Sequence, residues 1–152
     1  MSLEFSKIGI LTSGGDAPGM NAAIRSFVRS AKFNNLEIIG VKKGFQGLIE
    51  GSFEHLEMRS VSNILGKGGT FLRSARSIDF LDKENRMVAY KNLKEHNIEA
   101  LVVIGGNGSL TGASVFSEEF NIPVIGIPAS IDNDIFGTDF SIGYNTALET
   151  IV

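Results

Sequence analysis

Apolar residues fall into short runs separated by longer stretches of helical spacing, the pattern of alternating strands and helices that builds a parallel sheet. Lys7 to Thr12 predicts a buried strand. Ala22, Ala23, Ile24, Phe27 and Val28 give an apolar stripe to a helix opening at Pro18, whose fixed φ suits a first turn, and ending near Phe33-Asn34-Asn35. Glu37 to Val41 predicts a second strand. Gly44, Gly47 and Gly51 then break the chain into loop, and Ser60 to Leu65 predicts a short helix. Asp82 caps a helix running to about His96, with Met87, Val88, Tyr90 and Leu93 on its buried side. Ala100 to Ile104 predicts a strand, Ser109 to Phe120 a helix, and Val124 to Ile127 a strand closed by Pro128. A last helix starts near Ile142, with Ala147, Leu148, Ile151 and Val152 on its apolar side, and the sequence stops inside it without a cap. The expected fold class is α/β: an open, doubly wound, mostly parallel sheet with helices on both faces. Residues 1–152 are expected to form a single domain cut short of its natural end.

Composition narrows the function. With 43% hydrophobic and 20% charged residues the chain can bury a core of its own. A net charge of −3 argues against a broad electrostatic grip on nucleic acid or an anionic membrane, so any phosphate site must be local. There is no cysteine, which excludes disulfides and thiolate metal sites and fits a cytoplasmic protein. The apolar runs are too short to span a bilayer, and the amino terminus has no signal pattern. The 18 glycines cluster beside predicted strands, and the chemistry is to be sought there.

Gly14-Gly15-Asp16-Ala17-Pro18-Gly19-Met20-Asn21 follows the first strand and opens a helix. Glycines there let backbone N–H groups and the positive helix end approach an anion. Met20-Asn21 stands where a Walker A loop needs lysine and serine or threonine, and the dinucleotide spacing of glycines is absent too. Gly105-Gly106-Asn107-Gly108-Ser109, with Gly112, repeats the arrangement after a later strand. Two such loops at strand ends are what a ligand crevice needs, although a tight strand-to-helix turn explains either one alone. Ser130-Ile131-Asp132-Asn133-Asp134 sets two carboxylates two residues apart beyond a third strand, suited to a general base and a magnesium partner or to turn capping. Arg73 and Arg76 stand beside a glycine turn, as site groups or as solvated surface, and Arg25 and Arg29 lie one helical turn apart, where they grip an anion or form a solvated face.

In this order, Gly14 to Ala22, Gly68-Gly69-Thr70 with Ser74-Ala75-Arg76, Gly105 to Ser109, and Ser130 to Asp134 with Gly137-Thr138-Asp139 resemble the bacterial 6-phosphofructokinase family, nucleotide-binding portion. The resemblance runs from about Lys7 to Val152. It implies transfer of the ATP γ-phosphate to the 1-hydroxyl of fructose 6-phosphate, with Mg2+. The implied catalytic groups are Asp132 as base, Arg76 on the phosphates and the Gly15 N–H on the transferred group. Gly15, Phe45, Arg76, Ser77, Gly106, Asn107, Gly108, Ser109 and Gly112 match positions that hold ATP, with Phe45 against the adenine. Ser130, Ile131 and Asp132 match sugar-binding positions, and Asn107 and Asp134 the metal positions. Arg25, Arg29 and Arg59 are implied to bind a nucleoside diphosphate effector, and the whole protein to be a homotetramer.

This chain departs from that pattern at Asn107, where the family usually has an acidic residue, a stronger magnesium ligand than an amide. Met58 stands at a basic effector position, and Arg59 is one place late. Gly108 and Ala129 favour ATP, because pyrophosphate-using relatives carry an acidic residue and a lysine there. The competing readings are a pyrophosphate-dependent phosphofructokinase, a non-catalytic nucleotide sensor, and a dinucleotide-binding reductase half fed by the spacing Gly106 to Gly108. The resemblance leaves most sugar-phosphate contacts outside this chain, so the 152 residues alone are expected to be inactive.

Overall fold

The computed structural model describes residues 4–151. Five strands form one sheet: β1 (Lys7–Ser13), β2 (Glu37–Val41), β3 (Phe53–Leu56), β4 (Ala100–Gly105) and β5 (Val124–Pro128), in the order β3-β2-β1-β4-β5. All neighbours run parallel except β3, which lies antiparallel on β2 at the edge. Five helices accompany them: α1 (Met20–Phe33), α2 (Gly44–Glu50), α3 (Lys83–Glu95), α4 (Asn107–Phe120) and α5 (Tyr144–Ile151). The open, mostly parallel α/β sheet read from the sequence is the observed one.

Successive strand residues point to opposite faces, and the central strands are apolar on both. Ile8, Ile10, Ile38, Ala100, Val102 and Ile104 meet α1 and the side chains of Val61, Ile64 and Leu72. Leu11, Ile39, Val41, Leu101 and Val103 meet α2, α3 and α4. The helix after β1 and the helix after β4 therefore cover opposite faces, although their strands are adjacent.

Four expectations fail for identifiable reasons. The glycines after β2 do not break the chain into loop. They build α2, where a Cβ on Gly47 would fall 1.7 Å from the Lys42 carbonyl oxygen, so glycine here permits a close approach. The strand β3 follows, and its alternation was too short to read. Residues 58–63 form turns rather than the helix expected from Ser60 to Leu65: Ser60, Val61, Ser62 and Asn63 are weak helix formers, and α1 holds these turns by their carbonyls. The Arg25 guanidinium donates to the Val61 and Ser62 oxygens at 3.0 and 3.1 Å, and Asn21 donates to Ile64. In α3 the buried stripe is Arg86, Ala89 and Leu93, leaving Met87 and Val88 exposed. Helix α1 starts at Met20, two residues after the expected opening at Pro18, with Gly19 at its N-cap in the left-handed region. α5 has no buried residue, and Val152 lies outside the described residues.

Arg86 explains the setting of α3. Its Nε and Nη2 donate to the two carboxylate oxygens of Glu119 on α4, both at 2.7 Å, and its Nη1 donates to the Phe80 and Leu81 carbonyls. One buried guanidinium thus joins α3, α4 and the 3-10 turn Asp79–Leu81. The Glu119 carboxyl is held below its ordinary pKa, first by the hydrogen bond from Arg86. Its stabilising contribution is therefore present above the ordinary carboxylate range and lost as pH falls through the folded value. Glu119→Ala, which strands the guanidinium, is expected to cost about 3 kcal/mol in urea unfolding at pH 7 and to flatten the acid limb of stability. A loss below about 1 kcal/mol would show that the carbonyls alone hold Arg86.

Candidate functional site

Adjacent parallel strands whose following helices leave to opposite faces open a crevice at their carboxyl ends. Here that point lies between β1 and β4, and the crevice is a cleft of about 780 Å³. Its walls come from Ser13 to Asp16 after β1, Gly106 to Ser109 after β4, Ala129 to Asp132 with Asp134 after β5, and Arg76 with Ser77 from the segment before α3. Phe45 and Gly112 complete the set, so the cleft gathers every residue expected to act in catalysis, donor binding, sugar binding or metal binding. Arg25, Arg29 and Arg59 do not line it. They lie by α1 and the turns packed on it, where Arg25 is engaged with Val61 and Ser62.

The glycines of this cleft have two different reasons. Gly105 is demanded by packing: a Cβ there would lie 2.6 Å from the Ser13 carbonyl oxygen and 2.8 Å from the Ser109 Cβ. Gly15 and Gly108 are not. A Cβ on either would meet nothing within 4 Å, and neither has a left-handed φ. Gly108 sits in the first turn of α4, where an alanine would be the better helix former. Helix α4 has Gly106 at its N-cap, no side-chain cap and no acidic residue in its first turn, so its first N–H groups have no partner among the described residues.

The acidic segment after β5 is a tied loop. Ser130 N–H donates to the Ile142 carbonyl and Ile142 N–H to that of Pro128, both at 3.0 Å, so the ends of the loop are clamped together. Inside it, Asn133 adopts a left-handed φ of 50°, donates to the Asp139 carbonyl and accepts from the Ser141 N–H. The Ser130 hydroxyl accepts from the Asp132 N–H at 3.1 Å and faces the Asp134 carboxylate at 3.5 Å. Asp132 and Asp134 are both left exposed in the cleft.

A family model described as phosphofructokinase matches residues 7–152. The chain belongs to the phosphofructokinase family. It is 58% identical over 146 residues to the ATP-dependent 6-phosphofructokinase of Thermotoga neapolitana, covering 96% of this chain and 46% of that protein. It is 54% identical over 145 residues to the ATP-dependent 6-phosphofructokinase 2 of Bacteroides thetaiotaomicron, covering 95% of this chain and 44% of that one. The chain thus spans less than half the length of these curated relatives. Among solved structures, the phosphofructokinase of Saccharomyces cerevisiae superposes with a TM-score of 0.93 at 38% identity, over 97% of this chain and 23% of that one. A pyrophosphate-dependent phosphofructokinase from Marinobacter aquaeolei, 18% identical, shares the fold with a TM-score of 0.79 over 92% of this chain and 37% of that one.

The cleft also has an apolar wall that the sequence did not reveal. Phe80 stacks on Phe45 with ring centroids 4.2 Å apart, and Leu81 and Val115 stand exposed beside them. Phe45 is itself only 5% exposed, so it presents an edge near Gly112 rather than an open face. The turn that carries Phe80 is capped by Ser77, whose Oγ accepts from the Phe80 N–H and donates to Gln46. A serine three residues before an aromatic was the available signal, and it was too short to separate from loop. Arg86 and Thr111 were also missed as cleft residues.

Because packing does not require Gly108, Gly108→Ala is expected to stabilise the fold by about 0.5–1 kcal/mol in urea unfolding. Destabilisation would mean that the fold, and not a ligand, accounts for this glycine.

Proposed function

We propose that this chain is the nucleotide-binding part of an ATP-dependent 6-phosphofructokinase, which transfers the ATP γ-phosphate to the 1-hydroxyl of fructose 6-phosphate. The observation that carries this reading is the pair Gly15 and Gly108, two cleft glycines with empty space where a side chain would stand. Glycine that packing does not need, in the loop after β1 and in the first turn of α4, is accounted for by close approach of a phosphate chain. The relatives at 52–58% identity are named ATP-dependent, and Gly108 and Ala129 put neither an acid nor a lysine in the path of a nucleotide.

In this reading the phosphates lie between the Gly14-Gly15 backbone and the start of α4, facing Arg76, with the base toward Leu81, Val115 and the edge of Phe45. Asp132 accepts the proton of the sugar 1-hydroxyl as that oxygen attacks the γ-phosphorus and the bond to the ADP oxygen breaks. The Gly15 N–H and the Arg76 guanidinium stabilise the charge that builds on the transferred group. Ser130 holds the backbone that orients Asp132. The exposed Asp134 carboxylate and the Asn107 amide oxygen would hold a magnesium ion, which would supply charge neutralisation to the phosphates. The remaining contacts to the sugar phosphate are assigned to the part of the protein beyond this chain. Arg25, Arg29 and Arg59 are the candidates for an effector phosphate, and association into a homo-oligomer follows the family resemblance.

The whole protein that carries this chain is expected to turn over fructose 6-phosphate with ATP and magnesium far better than with pyrophosphate. Asp132→Asn should lower that turnover at least ~10²-fold while leaving ATP binding in place. The 152-residue chain alone should show background activity only. Pyrophosphate turnover above that with ATP, or near-normal turnover in Asp132→Asn, would overturn the assignment.

A further inference from the structure

Residues 57–78 carry Arg76 to the cleft without helix or strand. Among the described residues Arg76 has no hydrogen-bond or ion-pair partner of its own, so the backbone beneath it sets where its guanidinium reaches. That backbone includes a strained point, Arg73 with a left-handed φ of 59°, which needs support from outside the segment.

The support comes from the first glycine loop and the start of α1. Asn21, 7% exposed, donates through Nδ2 to the carbonyls of Ile64 and Gly69 and accepts through Oδ1 from the Phe71 N–H at 2.7 Å. Nearer the cleft, one oxygen of Asp16 accepts from two hydroxyls, those of Thr70 and Ser74, the latter at 2.6 Å. The Gly14 N–H donates to the Ala75 carbonyl at 3.4 Å. Thr70, Phe71, Ser74 and Ala75 are thus each tied to the first glycine loop or α1, and the last fixed side chain, Ser74, is two positions from Arg76. The Ser74 and Thr70 hydroxyls hold the Asp16 carboxyl below its ordinary pKa, so the latch stays ionised at neutral pH.

We propose that Asp16 is a positioning residue: by latching Thr70 and Ser74 it sets the Arg76 guanidinium over the cleft. The inference rests on the reading above, in which Arg76 faces phosphates. The residues that replace the lysine and serine of a Walker A loop, and the aspartate before them, then act through an arginine delivered from another segment.

The test is a double-mutant cycle in the whole protein, using Asp16→Asn and Ser74→Ala, each with and without Arg76→Ala, read by turnover and by ATP binding. Hydrogen exchange at the Gly14, Phe71 and Arg73 amides is followed in parallel. Each latch variant is expected to lower kcat about tenfold or more with the Arg76 side chain present, and less than about twofold in Arg76→Ala. Exchange at the three amides should rise about tenfold, and Ser74→Thr, which keeps the hydroxyl, should recover most of the loss. Losses that simply add to that of Arg76→Ala, or unchanged exchange, would overturn the latch. Absence of turnover in the wild-type protein sinks the functional reading alone, because the exchange and ATP-binding cycles need no chemistry.

Discussion

A methyl group on Gly105 would press to 2.6 Å against the Ser13 carbonyl oxygen, and this contact is the constraint on which the site depends. It sets how closely the carboxyl ends of β1 and β4 lie together before α1 and α4 leave to opposite faces. Only because the strands end side by side do two helix starts and the acidic loop after β5 share one cleft. The Ala129 N–H continues the arrangement by donating to the Gly105 carbonyl at 2.9 Å, which fixes where the Asp132 loop begins.

What the sequence disclosed was whatever has a local cause. The runs Lys7 to Thr12, Glu37 to Val41 and Ala100 to Ile104 are apolar because both of their faces are covered, and they appear as strands at nearly the expected bounds. Asp82 caps α3 by accepting from the Glu84 N–H, as its position suggested. The three loops at strand ends were visible through their glycines and paired carboxylates. Features with distant causes were not legible. Gly47 looked like a chain breaker because its reason, the approach of the Lys42 carbonyl, exists only after folding. The turns over Ser60 to Leu65 are held by Arg25 and Asn21, which reach their carbonyls from α1. Phe80 stands in the cleft wall on a turn whose carbonyls are tied to Arg86, itself paired with Glu119.

The cleft divides its tasks between rigid and tied parts. Helix starts and strand ends are held by the sheet, whereas Arg76 and Asp132 sit on irregular segments secured by side chains, Asp16 and Asn21 for one and Asn133 and Ser130 for the other. Catalysis that works by positioning and charge stabilisation needs such second supports, since a displaced guanidinium or carboxylate loses its effect steeply with distance. In this chain Asp16, Asn21 and Asn133 thus hold backbone in place beside the residues that line the cleft.

The most direct test of the central claim, that this cleft is a nucleoside triphosphate site, is amide chemical-shift mapping of the chain titrated with ATP, with AMP as a control that lacks the β- and γ-phosphates. Shifts that centre on Gly14, Gly15 and Gly106 to Ser109, larger with ATP than with AMP and weakened in Gly108→Ala, are the predicted result. Equal shifts with both nucleotides, or shifts centred on Arg25 and Arg29 with the cleft amides unmoved, would contradict it.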